Sequence, residues 1–327
     1  MTSLHLVLGS GPLGLATARA LLARDHTVRL VNRRGAVEGL PNGATVVTAD
    51  LSDAGAMRNA AMGATAIYFC VQPPYHLWPT EFPALQDNAI RLAEAARARL
   101  VVAENLYGYG PVDGPMTEKT PLIARTRKGS TRAAMHRALL AAFQDGRIDM
   151  AVARGADFFG PGVTQAALGA EVFTALLSGA YVRVLGNPDL PHSYTYVPDF
   201  GTAMAILGTD PRASGGVFHV PNAPVTTTRA MIREAGEIAG LNPRIQAITP
   251  WQLRLLSLAI KPLREMVELS YQATRPFVAD HAKFVATFGD IVTPRTQALA
   301  ETLASLRPAA DLRLRIPVQS TAEFGAR

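Results

Sequence analysis

The stretch that most constrains this chain lies at its N-terminal end. Leu4–Leu8 is a short apolar run that reads as a buried strand, and it passes directly into Gly9-Ser10-Gly11-Pro12-Leu13-Gly14. Apolar residues then recur at helical spacing from Leu15 to Leu22. Three glycines placed this way between a strand and a helix each meet a different demand. Gly9 permits a tight turn, Gly11 lets the backbone approach a pyrophosphate, and Gly14 lets the helix lie against the strand. The helix start, with Pro12 and Leu13 in its first turn, leaves free N–H groups for phosphate oxygens. These residues predict an α/β opening suited to binding a dinucleotide.

The rhythm continues. Thr27–Val31, Ala44–Thr48, Thr65–Val71, Leu100–Ala103 and Asp149–Arg154 read as strands, with helices over 52–61, 83–98 and 130–143 between them. Such alternation predicts an α/β fold with a doubly wound parallel sheet covered on both faces. Ligands of these sheets lie across the carboxyl ends of the strands. One rim therefore carries the glycine turn, Asn32-Arg33-Arg34, Asp50-Leu51, Val71-Gln72-Pro73, Asn105 and Asp157-Phe158, which are the candidate cofactor contacts. An NAD site places an acid near the end of the second strand to hold the ribose 2′-hydroxyl. Here Asn32 stands there, followed by two arginines, and guanidiniums suit a 2′-phosphate. The expected cofactor is NADP(H).

Residues 1–160 are expected to form the dinucleotide-binding domain, with 195–222 returning to it. After Gly160-Pro161-Gly162 the alternation loosens, and no second phosphate turn follows. Residues 161–194 and 223–327 are expected to form a smaller, mostly helical substrate lobe. One long helix is read from Pro250 to Tyr271, and an edge strand or docked tail at Leu312-Arg313-Leu314-Arg315.

Composition narrows the function classes. The 327 residues are 48% hydrophobic and 18% charged, enough to bury a core and unlike a disordered chain. A net charge of +6 without basic blocks or interleaved aromatics gives no expectation of a nucleic-acid partner. No apolar run reaches the ~18 residues of a membrane span, and Leu4–Leu8 lacks the cationic lead of a signal peptide. A cytoplasmic protein without a membrane partner is expected. Cys70 is the single cysteine, so no intramolecular disulfide or cysteine zinc site can form, and no metal is expected.

Four stretches together carry a family resemblance: Gly9–Gly14, Asn105-Leu106-Tyr107-Gly108, Gly155–Gly162 ending in Phe159-Gly160-Pro161, and Tyr194–Asp199. They resemble the extended and atypical short-chain dehydrogenase/reductases, the NAD(P)-dependent epimerase/dehydratase superfamily. The resemblance implies a Rossmann fold, a small-molecule substrate and a homodimer. It also implies a Tyr-x-x-x-Lys pair with an upstream Ser or Thr. The matching positions of this chain read Lys128, Arg132 and Ala103.

Three groups remain for proton transfer: Tyr107, Tyr109 and Lys128. The last also stands as a cofactor contact, because a cation at a helix start calls for an anionic partner. Tyr75, His76, Phe159, His192 and Tyr194 are the candidate substrate contacts. Phe158, Phe159 and the Leu- and Ile-rich stretch Trp251–Tyr271 point to a largely apolar substrate. The reading is an NADPH-dependent reductase of a small carbonyl or activated alkene. Its alternatives are a catalytically silent NADP(H)-binding sensor and a sugar-nucleotide epimerase or dehydratase.

Overall fold

The structure, a computed structural model, describes residues 3–306, so the expected element at 312–315 lies outside the described residues. The first half runs β1 (Leu4–Leu8), α1 (Pro12–Leu22), β2 (Thr27–Asn32), β3 (Ala44–Thr48), α2 (Ala54–Ala60), β4 (Ala64–Phe69), α3 (Trp78–Ala96), β5 (Arg99–Asn105), α4 (Arg127–Gln144) and β6 (Met150–Gly155). The second half opens with β7 (Asp157–Phe159), α5 (Ala170–Leu177), β8 (Tyr181–Leu185), β9 (Pro191–His192), β10 (Tyr194–Tyr196), α6 (Val197–Thr209) and β11 (Gly216–His219). It closes with β12 (Thr226–Thr227), α7 (Thr228–Ala239), β13 (Arg244–Ile248), α8 (Pro250–Ala259), α9 (Lys261–Val267), α10 (Ala282–Phe288) and α11 (Arg295–Leu306).

Seven strands form one parallel sheet in the order β11-β6-β5-β4-β1-β2-β3. β1 lies between β2 and β4, so the strand order reverses beside its carboxyl end, where the glycine turn begins. Successive strand residues point to opposite faces and fill two cores. Leu6, Leu8, Leu100 and Val102 pack with Phe82 of α3 and Leu139 of α4. Val7, Val101 and Ala151 pack on the other face with Phe200 and Met204 of α6. α6 lies against α1 at Gly201, where a Cβ would come within 2.4 Å of the Ala16 backbone. A third core, with Phe173, Val182, Ile232 and Leu299, holds α5, β8, α7 and α11 together.

Two elements depart furthest from the sequence reading, while α4 starts three residues earlier than expected, at Arg127. α3 starts at Trp78, a turn or more before residue 83, because Pro79 rather than Pro83 occupies its first turn. The long helix expected from Pro250 to Tyr271 is broken. Ile260 is extended (φ −111°, ψ 97°) and Pro262, which has no N–H for the helix ladder, lies in the first turn of α9.

Candidate active site

At the carboxyl end of β1, Gly9 and Gly14 take the turn and packing roles their spacing predicts, and Gly11 borders open space. Gly9 has φ +101° and donates its N–H to the Val31 carbonyl at 3.0 Å. A Cβ on Gly14 would stand 2.0 Å from the Gly9 carbonyl oxygen, whereas one on Gly11 would meet nothing within 4 Å. Gly11 starts α1 without a capping side chain, Pro12 follows, and the first turn has no acid. Its N–H groups therefore face open space suited to an anion. Leu13 packs into the core behind the turn.

Asn32 ties the end of β2 to this turn. Its Nδ2 donates to Ser10 Oγ at 3.0 Å, while its Oδ1 accepts from the N–H groups of Arg34 (3.1 Å) and Gly35 (2.7 Å). The side chains of Arg33 and Arg34 stay exposed, Arg33 reaching Asp50 only at 4.0 Å. The Asp50 carboxyl is held below its usual range, first by bonds from the Ser52 hydroxyl and N–H and also by Arg33. Leu51 and Val71 pack on the core, Gln72 is exposed, and the Pro73 carbonyl accepts from Trp78 Nε1 at 3.0 Å. Asn105 Oδ1 accepts from the Tyr107 N–H at 3.2 Å, and Phe158 sits edge-on to Phe200 at 5.3 Å.

Further along this edge lie the three positions where the family resemblance implies catalytic groups. Ala103 offers only its carbonyl, which accepts from Arg132 Nη2 at 3.3 Å. The Arg132 guanidinium is buried over the Phe82 ring at 4.6 Å, and its Nε and Nη1 have no partner. Burial lowers its pKa to about 10, with Glu104 pulling the other way. Two unspent donors in a buried place fit a cofactor hydroxyl or carbonyl oxygen. With the open glycine turn, they make the residues present compatible with a dinucleotide across this edge.

Lys128 is fully buried. Its Nζ bonds the Glu265 carboxylate, the Glu265 carbonyl at 3.0 Å and Glu268 Oε1 at 2.5 Å, and it lies 5.2 Å from the centre of the Tyr75 ring. Arg127 Nη2 donates to both carboxylate oxygens of Glu265 at 2.9 Å, and its backbone N–H donates to Glu268 Oε2 at 2.7 Å. The anion that a cation at a helix start calls for is thus supplied within the chain, by α9 and the residue after it. Both carboxylates also meet the positive end of the α4 dipole.

The two tyrosines part company. The Tyr109 hydroxyl accepts from Arg154 Nη1 at 2.7 Å and donates to His219 Nε2 at 2.7 Å, while His219 Nδ1 donates to the Asp280 carbonyl at 2.8 Å. Arg154 also binds Glu104 at 2.7 Å, and His136 meets the same carboxylate at 3.2 Å. Tyr109 is therefore bound into a buried chain of hydrogen bonds with Arg154, Glu104 and His219. Tyr107 keeps a hydroxyl-to-hydroxyl contact with Tyr75 at 3.1 Å. Burial first, then the charges of Tyr75 and Asp157, push its phenol well above the usual value, so it stays protonated.

The expected substrate contacts are also divided. Tyr75 belongs to the cluster through Tyr107 and Lys128. His192 lies close by, its Nε2 2.9 Å from Asp157 Oδ2 and its ring stacked on Tyr194 at 4.5 Å. The Tyr194 hydroxyl is 2.6 Å from Thr228 Oγ1. His76 faces solvent, and Phe159 is core, packed on Tyr196 at 5.3 Å. Phe158 packs likewise, and Leu255, Leu256, Leu258 and Ile260 are exposed rather than turned inward. The inference of an apolar substrate thus loses its basis, because the cluster presents phenols, carboxylates and cations. A cavity of about 580 Å³ lies elsewhere, along α7 and α11, lined by Arg229 and Arg295 already paired with Asp189 and Glu234.

Sequence reasoning missed Glu265, Glu268 and the unspent donors of Arg132. It also missed Tyr271, whose buried hydroxyl has no partner. The two acids had a signal: they stand three apart in a helical stretch, the spacing that puts them on one face.

The family model described as the NAD dependent epimerase/dehydratase family matches residues 5–220. Comparison with curated protein sequences gives no match. Among solved structures, dTDP-glucose 4,6-dehydratase from Bacillus anthracis in complex with NAD is 15% identical, covering 93% of this chain and 96% of its own, with a TM-score of 0.77. UDP-glucuronic acid 4-epimerase from Bacillus cereus in complex with NAD is 14% identical over 93% and 96%, with a TM-score of 0.76. UDP-glucose 4-epimerase from Thermotoga maritima with UDP-glucose is 16% identical over 92% and 98%, with a TM-score of 0.73. Such identities establish the shared fold, and the family match over most of the sheet-forming chain goes further. This chain belongs to the NAD dependent epimerase/dehydratase family.

Proposed function

We propose that the protein is an NADP(H)-dependent oxidoreductase acting at a carbonyl or hydroxyl carbon of a polar small molecule, with Lys128 as its proton donor. The observation that carries this is the placement of Lys128: wholly buried, at the family's proton-donor position, and clamped by two carboxylates. Its three N–H donors are taken by Glu265 and Glu268, so the proton reaches a substrate only when one of these bonds opens.

The α1 N–H groups, Arg33, Arg34 and Arg132 would hold the dinucleotide, the two exposed arginines taking a 2′-phosphate. When bound, this group supplies or accepts the hydride. Lys128 Nζ gives its proton to the substrate oxygen, and Glu265 and Glu268 fix the position of Nζ. The Tyr75 and Tyr107 hydroxyls take the place of the absent Ser or Thr as donors to that oxygen, a role that suits phenols held protonated. A sugar-nucleotide epimerase or dehydratase is the second reading. It is favoured by the family and by neighbours named for those activities.

Calorimetric titration with NADPH, NADP⁺, NADH and NAD⁺ is the first test. NADPH is expected to bind about tenfold or more tighter than NADH, since one charge-assisted bond to a phosphate contributes about 1.5–3 kcal/mol. Arg33→Ala with Arg34→Ala is expected to erase that preference, and equal losses for both cofactors would refute it. Lys128→Met is expected to keep cofactor binding and lose turnover. Unchanged turnover would end the proton-donor role. NADPH binding without turnover of any carbonyl, alcohol or nucleotide-sugar substrate would leave a silent NADP(H) sensor.

A further inference from the structure

α8 presents its apolar residues to solvent. Its start is fixed by a capping box in which Thr249 Oγ1 accepts from the Gln252 N–H and Gln252 Oε1 accepts from the Thr249 N–H at 2.8 Å. Leu253 and Ser257, one turn apart, face the protein. On the opposite face Trp251, Leu255 and Leu258 follow at i, i+4 and i+7 and are 60%, 57% and 72% exposed. Leu256 and Ile260 widen this surface. Single exposed apolar residues are ordinary, but a contiguous stripe on one helix marks a contact surface.

The surrounding charge indicates what the stripe contacts. From Ile238 to Arg264 the chain has no Asp or Glu, while Arg254 and Arg264 are exposed beside the stripe. A second copy docking through α8 about a two-fold axis would bring together two faces that carry cations and no acid, leaving the arginines unanswered on the helix. An anionic lipid surface meets both features: the headgroups attract the arginines and the acyl boundary takes Trp251 and the leucines. Among the described residues no helix is long and apolar enough to cross a membrane, so such a contact is peripheral. We propose that the outward face of α8 docks this protein onto membranes containing anionic phospholipid. The surface lies outside the cofactor edge, and the inference stands apart from the proposed oxidoreductase activity.

Flotation of the full chain with vesicles tests it, comparing phosphatidylcholine containing phosphatidylglycerol with phosphatidylcholine alone. Binding is expected only to the anionic vesicles, weakening as salt rises. Fluorescence gives a second readout, because Trp78 is buried and Trp251 is exposed. A blue shift is expected on binding, and it disappears in Trp251→Phe. Leu255→Gln with Leu258→Gln, at exposed positions that leave the core intact, is expected to cut partition about tenfold or more. Failure to float with either vesicle would overturn the proposal. So would a dimer in light scattering that the double variant splits, which would give the face to a second copy.

Discussion

At the scale of single residues, the glycine turn separates folding from binding in a way two substitutions can test. A methyl group at Gly14 collides with the Gly9 carbonyl, a backbone group that cannot swing aside, so the strand–helix unit must shift. Gly14→Ala is expected to destabilise the fold by about 3 kcal/mol or more, read as a lower melting temperature. A methyl group at Gly11 meets empty space. Gly11→Ala is expected to change stability by no more than about 1 kcal/mol and to weaken dinucleotide binding about tenfold or more. Equal stability losses for both variants would contradict this division. The turn at Gly9 and the close packing at Gly14 were legible in the sequence because each is local, set by neighbours a few positions away. The environment of Lys128 was not, since its partners lie 137 and 140 positions on. Nor could spacing reveal that Tyr109 is held by Arg154 and His219, which converge only when β5, β6 and β11 pair.

At the scale of elements, the parallel sheet followed from a hydrophobic period repeated strand after strand, whereas the segment covering the site was misread. A run of leucines from 253 to 258 looks like one buried helix until Pro262 is weighed, and Ile260 then turns the chain. The break lets α8 face outward while α9 and the residue after it bring Glu265 and Glu268 onto α4. Arg127 and Lys128 are therefore the clasp between the start of α4 and the stretch around Glu265 and Glu268. Lys128→Met leaves those carboxylates, about one-fifth exposed, facing an apolar group. Removing one partner of a buried pair costs about 3–5 kcal/mol, and partial solvation here reduces that to about 1–3 kcal/mol. Backbone amides of residues 263–273 are thus expected to exchange hydrogen about tenfold to a hundredfold faster, with α1 unchanged. Unchanged exchange in 263–273 would mean that packing, not the ion pairs, holds the segment down.

At the scale of the whole molecule, several buried titratable groups make stability depend on pH in one direction. His5, bonded to the Tyr68 hydroxyl at 2.8 Å, is lowered from 6.5 to about 4 by burial and by His26. His219 is lowered from 6.5 to about 4, chiefly by burial. Both stay neutral in the native state while the unfolded chain takes up their protons, so stability is full above pH 6.5 and falls towards pH 4. Glu104 adds a second window. Burial alone would raise it, but Arg154, His136 and Arg132 hold it down to about 2 from 4.5, so its contribution is full above 4.5 and fades towards 2. The two windows join, and the melting temperature is expected to decline steadily from pH 6.5 downwards with no acid plateau. His219→Gln keeps an oxygen acceptor for Tyr109 but cannot take up a proton. It is expected to melt lower than the wild type at neutral pH and to lose less as the pH falls from 6.5 towards 4. A wild-type melting temperature that stays flat across that interval would show that neither histidine is buried neutral. A variant that loses stability as steeply as the wild type would assign the slope to His5 instead.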